Sequence, residues 1–429
     1  MKILVVHNRY QHRGGEDAVQ EAETNLLRQA GHQVIEYIRD NEEIQSCSAY
    51  EKASLAWRAT WSRRTYRELL EILSGESPDL VHFHNTFPLI SPSAYYACRV
   101  AETPVVQTLH NYRLLCPAGT FFRDNHVCEE CVSHSLLRSV AHGCYRESRP
   151  ASAVAASVLG VHRLMHTWSN QIDLFFVCSE FARRKFIDAG FDAGRIRVKP
   201  NFIADSPVSA QELGSFALYL GRLSEEKGPQ LLLRAWSCLR DQVPLRVAGD
   251  GPLFFSLRAE CARMGLSHVV FTDWIPATAA RDTLRSARFL IVPSLCYEGF
   301  PMVVAEACAC GIPVIAAGHG GLAEIVRDGY TGLHFAPGDP IDLARKVLWA
   351  WTHPAETAAM GAAARFEFEQ KYTAPAALCH LEDGYGFVLR QPRRPRARPI
   401  AFLSLRGAGT VQPNKKIPMQ KIAQRRKTW

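Results

Sequence analysis

The sequence predicts an α/β protein built from two doubly wound domains. Short apolar runs bounded by turn residues alternate with helix-length segments along most of the chain. The alternation breaks at 204–214, where Asp, Ser, Pro, Gln, Glu and Gly gather, and then restarts. A chain of 429 residues is also too long for one ordinary core.

The first half opens on the strand Lys2–His7, followed by a helix over about Glu16–Ala30 that stops at Gly31. Further strands are expected at Gln33–Tyr37, Leu80–His84, Pro104–Leu109, Leu174–Cys178 and Ile196–Lys199, with one helix across Leu55–Leu73. Ala-rich Ala151–Val161 reads as a buried helix. The second half offers strands at Phe216–Gly221, Leu245–Ala248, Val269–Thr272, Phe289–Pro293, Pro313–Ala317 and Gly332–Phe335. Its helices fall near Pro229–Leu239, Leu253–Met264, Thr278–Ser286, Val303–Cys310 and Ile341–Trp351. Residues 1–203 then form one domain and 204–370 another, 371–390 cross back to the first, and 391–429 form a tail. Ligands of such sheets sit outside the carboxyl ends of the strands, so the cleft between the domains is the expected site.

Hydrophobic content of 47% and charged content of 21% are those of a globular protein. The net charge of +8 is a property of the tail: residues 391–429 hold 11 Lys/Arg and no Asp/Glu, leaving 39 basic against 42 acidic residues elsewhere. With Pro and like charge, the tail reads as a solvated segment; a nucleic-acid-binding role is the lesser reading. Met1-Lys2 leads into a strand and not a secretory signal, and no apolar run reaches the roughly 18 residues of a membrane span. Thirteen dispersed cysteines point to reduced thiols and a cytoplasmic setting.

Chemistry concentrates in E-G-F-P-M-V-V-A-E, from Glu298 to Glu306. Gly299 and Pro301 form a turn, and Met302 and Val303 open a small-residue helix between two strands. The first N–H groups of a helix lack internal acceptors and favour anions, so this end suits a phosphate flanked by hydroxyl groups that the two Glu residues grip. G-R-L-S-E-E-K-G places Arg222 and Lys227 on a turn after the strand that ends at Gly221, a planar fork and a point charge suited to a diphosphate. Alone, that turn reads equally well as a surface salt-bridge loop. In R-G-G-E, Gly14 and Gly15 let backbone approach a ligand. Neither this loop nor A-G-D-G-P, with Gly249 and Gly251, completes a dinucleotide fingerprint, which disfavours hydride transfer. His82 and His84 alternate onto one strand face, and His110 follows a strand end. Each is a candidate sugar contact or a hydrogen-bonded core histidine.

Taken in order, these motifs resemble the family-4 retaining glycosyltransferases (glycosyl transferases group 1) of the GT-B fold, two facing Rossmann-like domains with a cleft between them. The resemblance rests on Gly14-Gly15, V-H-F-H-N at Val81–Asn85, L-H-N-Y at Leu109–Tyr112 and C-S-E-F-A-R at Cys178–Arg183. It continues through Y-L-G-R-L-S-E-E-K-G at Tyr219–Gly228, A-G-D-G-P at Ala248–Pro252 and the Glu298/Glu306 pair. G-G-L-A-E-I-V at Gly320–Val326 and G-Y-T-G at Gly329–Gly332 close it. It implies that Glu298 holds donor-sugar hydroxyls, Glu306 the nucleotide ribose, and Arg222 and Lys227 the diphosphate. Gly15, Gly251, Gly299, Phe300, Met302 and Val303 complete the donor site, and His110 sits beside the sugar. With His110, Glu298, Arg222 and Lys227 as the catalytic set, no cofactor is required, and no Asp-x-Asp triplet suggests a metal-clamped diphosphate.

Two features stand apart. Cys116, Cys128, Cys131 and Cys144, within a flap over 112–147, carry the spacing of a structural zinc site, or are four free thiols. Leu55–Arg67 mixes Trp57, Trp61 and Tyr66 with Arg58, Arg63, Arg64 and Arg67, so it is either a helix lying peripherally on the inner membrane face or an ordinary surface helix. The expected function is transfer of a hexose-type sugar from a nucleotide-sugar to a saccharide or lipid-linked acceptor, in polysaccharide, lipopolysaccharide or glycolipid synthesis. The alternatives are a nucleotide-sugar epimerase on the same plan and a non-catalytic sugar-nucleotide-binding protein.

Overall fold

A computed structural model of the chain describes residues 1–11, 14–44, 49–205, 214–239 and 242–392. Arg13, most of the 204–214 linker and tail residues 393–429 lie outside the described residues.

Two six-stranded parallel sheets organise the fold. The first holds β1 (Lys2–Arg9), β2 (Gln33–Asp40), β3 (Leu80–Phe83) and β4 (Val105–Leu109). A two-residue hairpin, β5 (Phe122–Arg123) with β6 (His126–Val127), lies within the flap. Then β7 (Leu174–Val177) and β8 (Ile196–Val198) complete the first sheet, in order β2-β1-β3-β4-β7-β8. The second sheet holds β9 (Ala217–Leu220), β10 (Leu245–Ala248), β11 (Val269–Thr272), β12 (Phe289–Val292), β13 (Val314–Ala317) and β14 (Gly332–Phe335). Its order is β11-β10-β9-β12-β13-β14. Every residue of β3, β7, β12 and β13 is buried, as parallel strands covered by helices on both faces must be.

Strand order reverses between β1 and β3 in the first sheet and between β9 and β12 in the second. A crevice opens at each reversal, because successive crossovers leave to opposite sides. Gly15 follows β1, Arg222 and Lys227 follow β9, and Glu298 follows β12, so these residues are gathered by topology.

The expected helix over Leu55–Leu73 is two helices, Ala49–Thr60 and Arg63–Glu76. Ser62 divides them: its buried hydroxyl accepts the Thr65 N–H at 3.2 Å, a cap that starts the second helix. Trp61 stacks against Tyr66 and Tyr96, with ring centroids 6.4 and 5.0 Å apart, and so faces inward. Trp57 alone of that aromatic set is strongly exposed, at 72%, so the segment lacks the continuous apolar stripe of a membrane-surface helix. No helix among the described residues is long and apolar enough to cross a membrane.

After Tyr372 the chain returns to the first domain as the helix Ala374–Arg390. The backbone N–H of Ile203 donates to Tyr372 O at 3.0 Å, tying the two interdomain crossings together. Ala377, Leu381, Tyr385 and Val388 join the buried cluster of Ile3, Val5, Leu80, Val106 and Phe176. Gly384 lies where this helix meets the sheet, and a Cβ there would overlap the Phe176 ring. Gly384→Ala is therefore expected to destabilise the protein. Overpacking of about 1–3 kcal/mol outweighs the roughly 1 kcal/mol that Ala adds in helix propensity. The thermal unfolding midpoint should fall by a few degrees, and a midpoint that rises would show that the helix does not bear on Phe176.

Candidate active site

The cleft between the domains encloses about 400 Å³. From the second domain, the turn Glu225–Lys227 follows β9 and ends at Gly228, whose φ is 66°. A Cβ at Gly228 would overlap the carbonyl of Pro293, so glycine lets this turn lie against the chain leaving β12. Two backbone bonds fasten the contact, from Leu295 N (2.9 Å) and Cys296 N (3.3 Å) to Glu226 O.

The consequence is a charge pair. The Lys227 ammonium donates to Glu298 Oε1 at 2.6 Å, and Ser294 Oγ donates to the same oxygen at 2.7 Å. Burial opposes ionisation of Glu298, but Lys227 and these bonds overcome it and hold the carboxyl below its ordinary range. Burial likewise opposes the charge on Lys227, and Glu298 outweighs it, raising the ammonium's pKa. Glu298 Oε2 bonds no protein group among the described residues. Arg222 is exposed at the cleft mouth, with no side-chain partner among the described residues. Glu298 leads directly into the helix Met302–Cys310, whose first two residues line the cleft with Gly299 and Phe300.

The first domain supplies the opposite wall. Gly15 opens the helix Gly15–Gln29, and a Cβ on it would stand 3.6 Å from Met302 Cγ, so two helix N-termini face each other. His110, just beyond β4, lines the cleft, and its carbonyl comes so near Gly299 that a Cβ there would lie 2.8 Å from the oxygen. Further out, both oxygens of Glu324 accept backbone N–H groups across the cleft, Glu180 at 2.8 Å and Phe181 at 2.7 Å, capping a first-domain helix from the second domain.

The structure brings together His110, Glu298, Arg222, Lys227, Gly15, Gly299, Phe300, Met302 and Val303. It does not bring Gly251 or Glu306 into the enclosed cleft. A Cβ on Gly251 would lie 2.5 Å from Leu223 O, so glycine lets this loop pack against the turn after β9. Glu306 sits a turn inside its helix, partly buried; burial raises its pKa, and the charge of Arg281 opposes the shift.

Sequence reasoning missed Glu16. It lines the cleft, its Oε1 accepts from Asn111 Nδ2 at 2.6 Å, and its Oε2 accepts from the Tyr10 hydroxyl at 2.9 Å. Burial raises its pKa against those two bonds. Its place directly after Gly14-Gly15 was the available signal. His82 and His84 do share a face, with ring centroids 4.5 Å apart, but both are buried in the first domain, not in the cleft wall.

The flap's cysteines are neighbours without metal spacing. Burial and the nearby Cys116, Cys144 and Cys128 push the Cys131 thiol up to about 12. Among the described residues, the group of metal-ligating side chains whose atoms lie within 4.8 Å of one another is Glu23, His82 and His84, outside the flap. The Lys199 ammonium is already bonded to Glu23 there.

Residues 206–366 match the family model "Glycosyl transferases group 1", and residues 19–206 match "Glycosyltransferase Family 4". An uncharacterized glycosyltransferase of Methanocaldococcus jannaschii is 26% identical, across 68% of this chain and 72% of that protein. A GDP-mannose-dependent alpha-(1-6)-phosphatidylinositol monomannoside mannosyltransferase of Mycolicibacterium smegmatis is 32% identical across 46% of this chain; the match spans 57% of that enzyme. Anabaena HepE, solved with UDP-glucose, superposes with a TM-score of 0.64 and 18% identity over 90% of this chain and all of its own. The fold is GT-B.

Because His110 O sits against Gly299, Gly299→Ala is expected to hold the domains apart. Affinity for the donor should drop about tenfold, equivalent to roughly 1.4 kcal/mol, with a larger radius of gyration in solution scattering. Unchanged values of both would mean that this approach is not needed for closure.

Proposed function

We propose that this chain, a group 1 glycosyltransferase of the GT-B fold, moves a hexose-type sugar from a nucleotide diphosphate to a saccharide or lipid-linked acceptor with retention of configuration. The observation that carries the reading is the meeting of Lys227, Arg222 and the N-terminus of the helix Met302–Cys310 at one strand-order reversal. Cleaving a glycosyl–phosphate bond leaves negative charge on the departing oxygen and positive charge on the sugar ring. Fixed donors aimed at that oxygen are the largest available contribution, around 3–4 kcal/mol for one well-placed group. Protein cations take this part, and no cofactor is assigned to the reaction.

The remaining roles follow from position. Lys227 and Ser294 occupy Glu298 Oε1, so Oε2 is left to accept sugar hydroxyls. Glu306 holds the ribose at the partly buried flank of its helix, beyond the enclosed part of the cleft. His110 stands beside the sugar, and Gly15 faces the phosphates. Attack on the face the diphosphate leaves, with the departing phosphate taking the acceptor's proton, gives retention. The Anabaena structure holds UDP-glucose and the mycobacterial relative uses GDP-mannose on a lipid-linked acceptor, so both bases belong in a donor screen. Polysaccharide or glycolipid synthesis is the matching context.

A screen of UDP- and GDP-hexoses that reads nucleotide-diphosphate release tests the assignment. Lys227→Ala and Glu306→Ala should each lower kcat/KM, the first by about 100- to 1000-fold. Wild-type turnover with both variants unaffected removes the donor-site assignment.

We also propose that the flap binds a structural zinc through Cys116, Cys128, Cys131 and Cys144. Four thiolates leave no open position, so such a metal orders the flap, whose Gly119 and Thr120 line the cleft. Metal analysis of the purified protein should find about one zinc per chain, and less than about a third of an equivalent ends the idea.

A further inference from the structure

His110 ends a buried chain of side chains that sugar transfer as described leaves without a role. His110 Nε2 lies 2.9 Å from His84 Nδ1, and the two rings stack with centroids 5.2 Å apart. The other nitrogen of His84, Nε2, is 3.8 Å from Glu23 Oε2. Neither of those two atoms has a hydrogen-bond partner among the described residues, and both are sealed from solvent. Each is the group that would satisfy the other. Glu23 Oε1 is bonded to the Lys199 ammonium, and the side chains of Lys199 and Glu23 are 0% and 1% exposed.

One arrangement of hydrogens gives both sealed atoms a partner across the 3.8 Å gap. An oxygen of a carboxylate already bonded to an ammonium acts as an acceptor. The imidazole nitrogen facing it therefore carries the hydrogen, so His84 is protonated on Nε2. Burial holds both rings well below the usual histidine range, so neither gains a second proton near neutrality. His84 Nδ1 is then a lone pair, and the single hydrogen between the two rings belongs to His110 Nε2. His110 is left with a bare Nδ1, which is not among the sealed atoms of this partly exposed, cleft-lining residue.

We propose that Glu23 and His84 are positioning residues that fix the tautomer of His110, so that it meets the substrate in the cleft as a hydrogen-bond acceptor through Nδ1. The partner this selects is a hydroxyl group. A sugar lacking that hydroxyl, or carrying an ether there, leaves the lone pair unmet. The functional part rests on the sugar-transfer reading; the tautomer itself does not. Glu23 also lies on the helix Gly15–Gln29, so one helix presents its N-terminus to the cleft and anchors the histidine pair from its interior.

The test is long-range ¹H–¹⁵N correlation on the full chain carrying ¹⁵N-histidine, with His110 assigned by loss of its signals in His110→Gln. Wild-type His110 should show a protonated Nε2 and a bare Nδ1. Removing the Glu23 carboxylate alone would strand the Lys199 ammonium in the interior, and Gln would keep an acceptor oxygen, so the informative variant is Glu23→Leu with Lys199→Met. In it, His110 should become a mixture of tautomers. With an active donor, kcat should fall about tenfold while the donor KM stays within about twofold. A proton on Nδ1 in the wild type overturns the proposal, as does an unmoved tautomer in the folded double variant. If the double variant does not fold, the wild-type spectrum still decides. Because the spectrum needs no turnover, a failed donor screen is distinguishable from a failed tautomer assignment.

Discussion

The site depends on one contact between two loops. The chain leaving β9 and the chain leaving β12 would diverge from the strand-order reversal, yet Gly228 lets the first lie directly on the Pro293 carbonyl. With that approach made, Glu226 O accepts two N–H groups from the second loop, and Lys227 reaches Glu298. The resulting pair is rigid on both sides. Lys227 is fixed by the turn, and Glu298 by Ser294 and by the helix that begins four residues later. A diphosphate arriving there meets a cation already in place, so little reorganisation remains to oppose the reaction.

Closure is built from similar short approaches. Gly299 under the His110 carbonyl brings backbone against backbone, where a side chain would hold the walls apart, and Gly15 lies beside the Met302 side chain. Glu324 then caps a helix of the opposite domain, and Tyr297 packs on Phe181 with ring centroids 4.8 Å apart. The cleft-lining residues and those that hold the domains together are interleaved along Tyr297–Glu324. Glu298, the partner of Lys227, and the contacts that dock the first domain therefore share one stretch of chain.

The fold was legible because its strands are short apolar-rich runs set off by turn residues, and those runs fall on all the strands of both large sheets. The cleft loops were legible for the same reason: Gly221, Gly228 and Gly299 punctuate them, and charged residues stand beside the punctuation. What stayed hidden depended on partners distant in sequence. His84 looked like a strand-end histidine, and its partners Glu23 and His110 lie on other elements. Glu16 stands at the cleft through its place at a helix start, but its bond to Asn111, just beyond β4, joins elements far apart in sequence. The apparent helix across Leu55–Leu73 failed on one residue, since Ser62 has helix-neutral composition but a hydroxyl that caps better than it continues. Gly251 was legible as a close-approach glycine, but not that the backbone it lies against is Leu223.

Glu16 also bears on the rival chemistry. An epimerase on this plan needs a carboxyl in the first domain's cleft that is free to exchange protons with substrate. Glu16 is a carboxyl in the required place, and burial raises its pKa toward the working range of such a group. Its bonding is positional: each oxygen accepts one hydrogen bond, from Asn111 and from Tyr10, and keeps a second lone pair. Asn111 directly follows His110, so the same bond that occupies Glu16 also steadies the loop that presents His110.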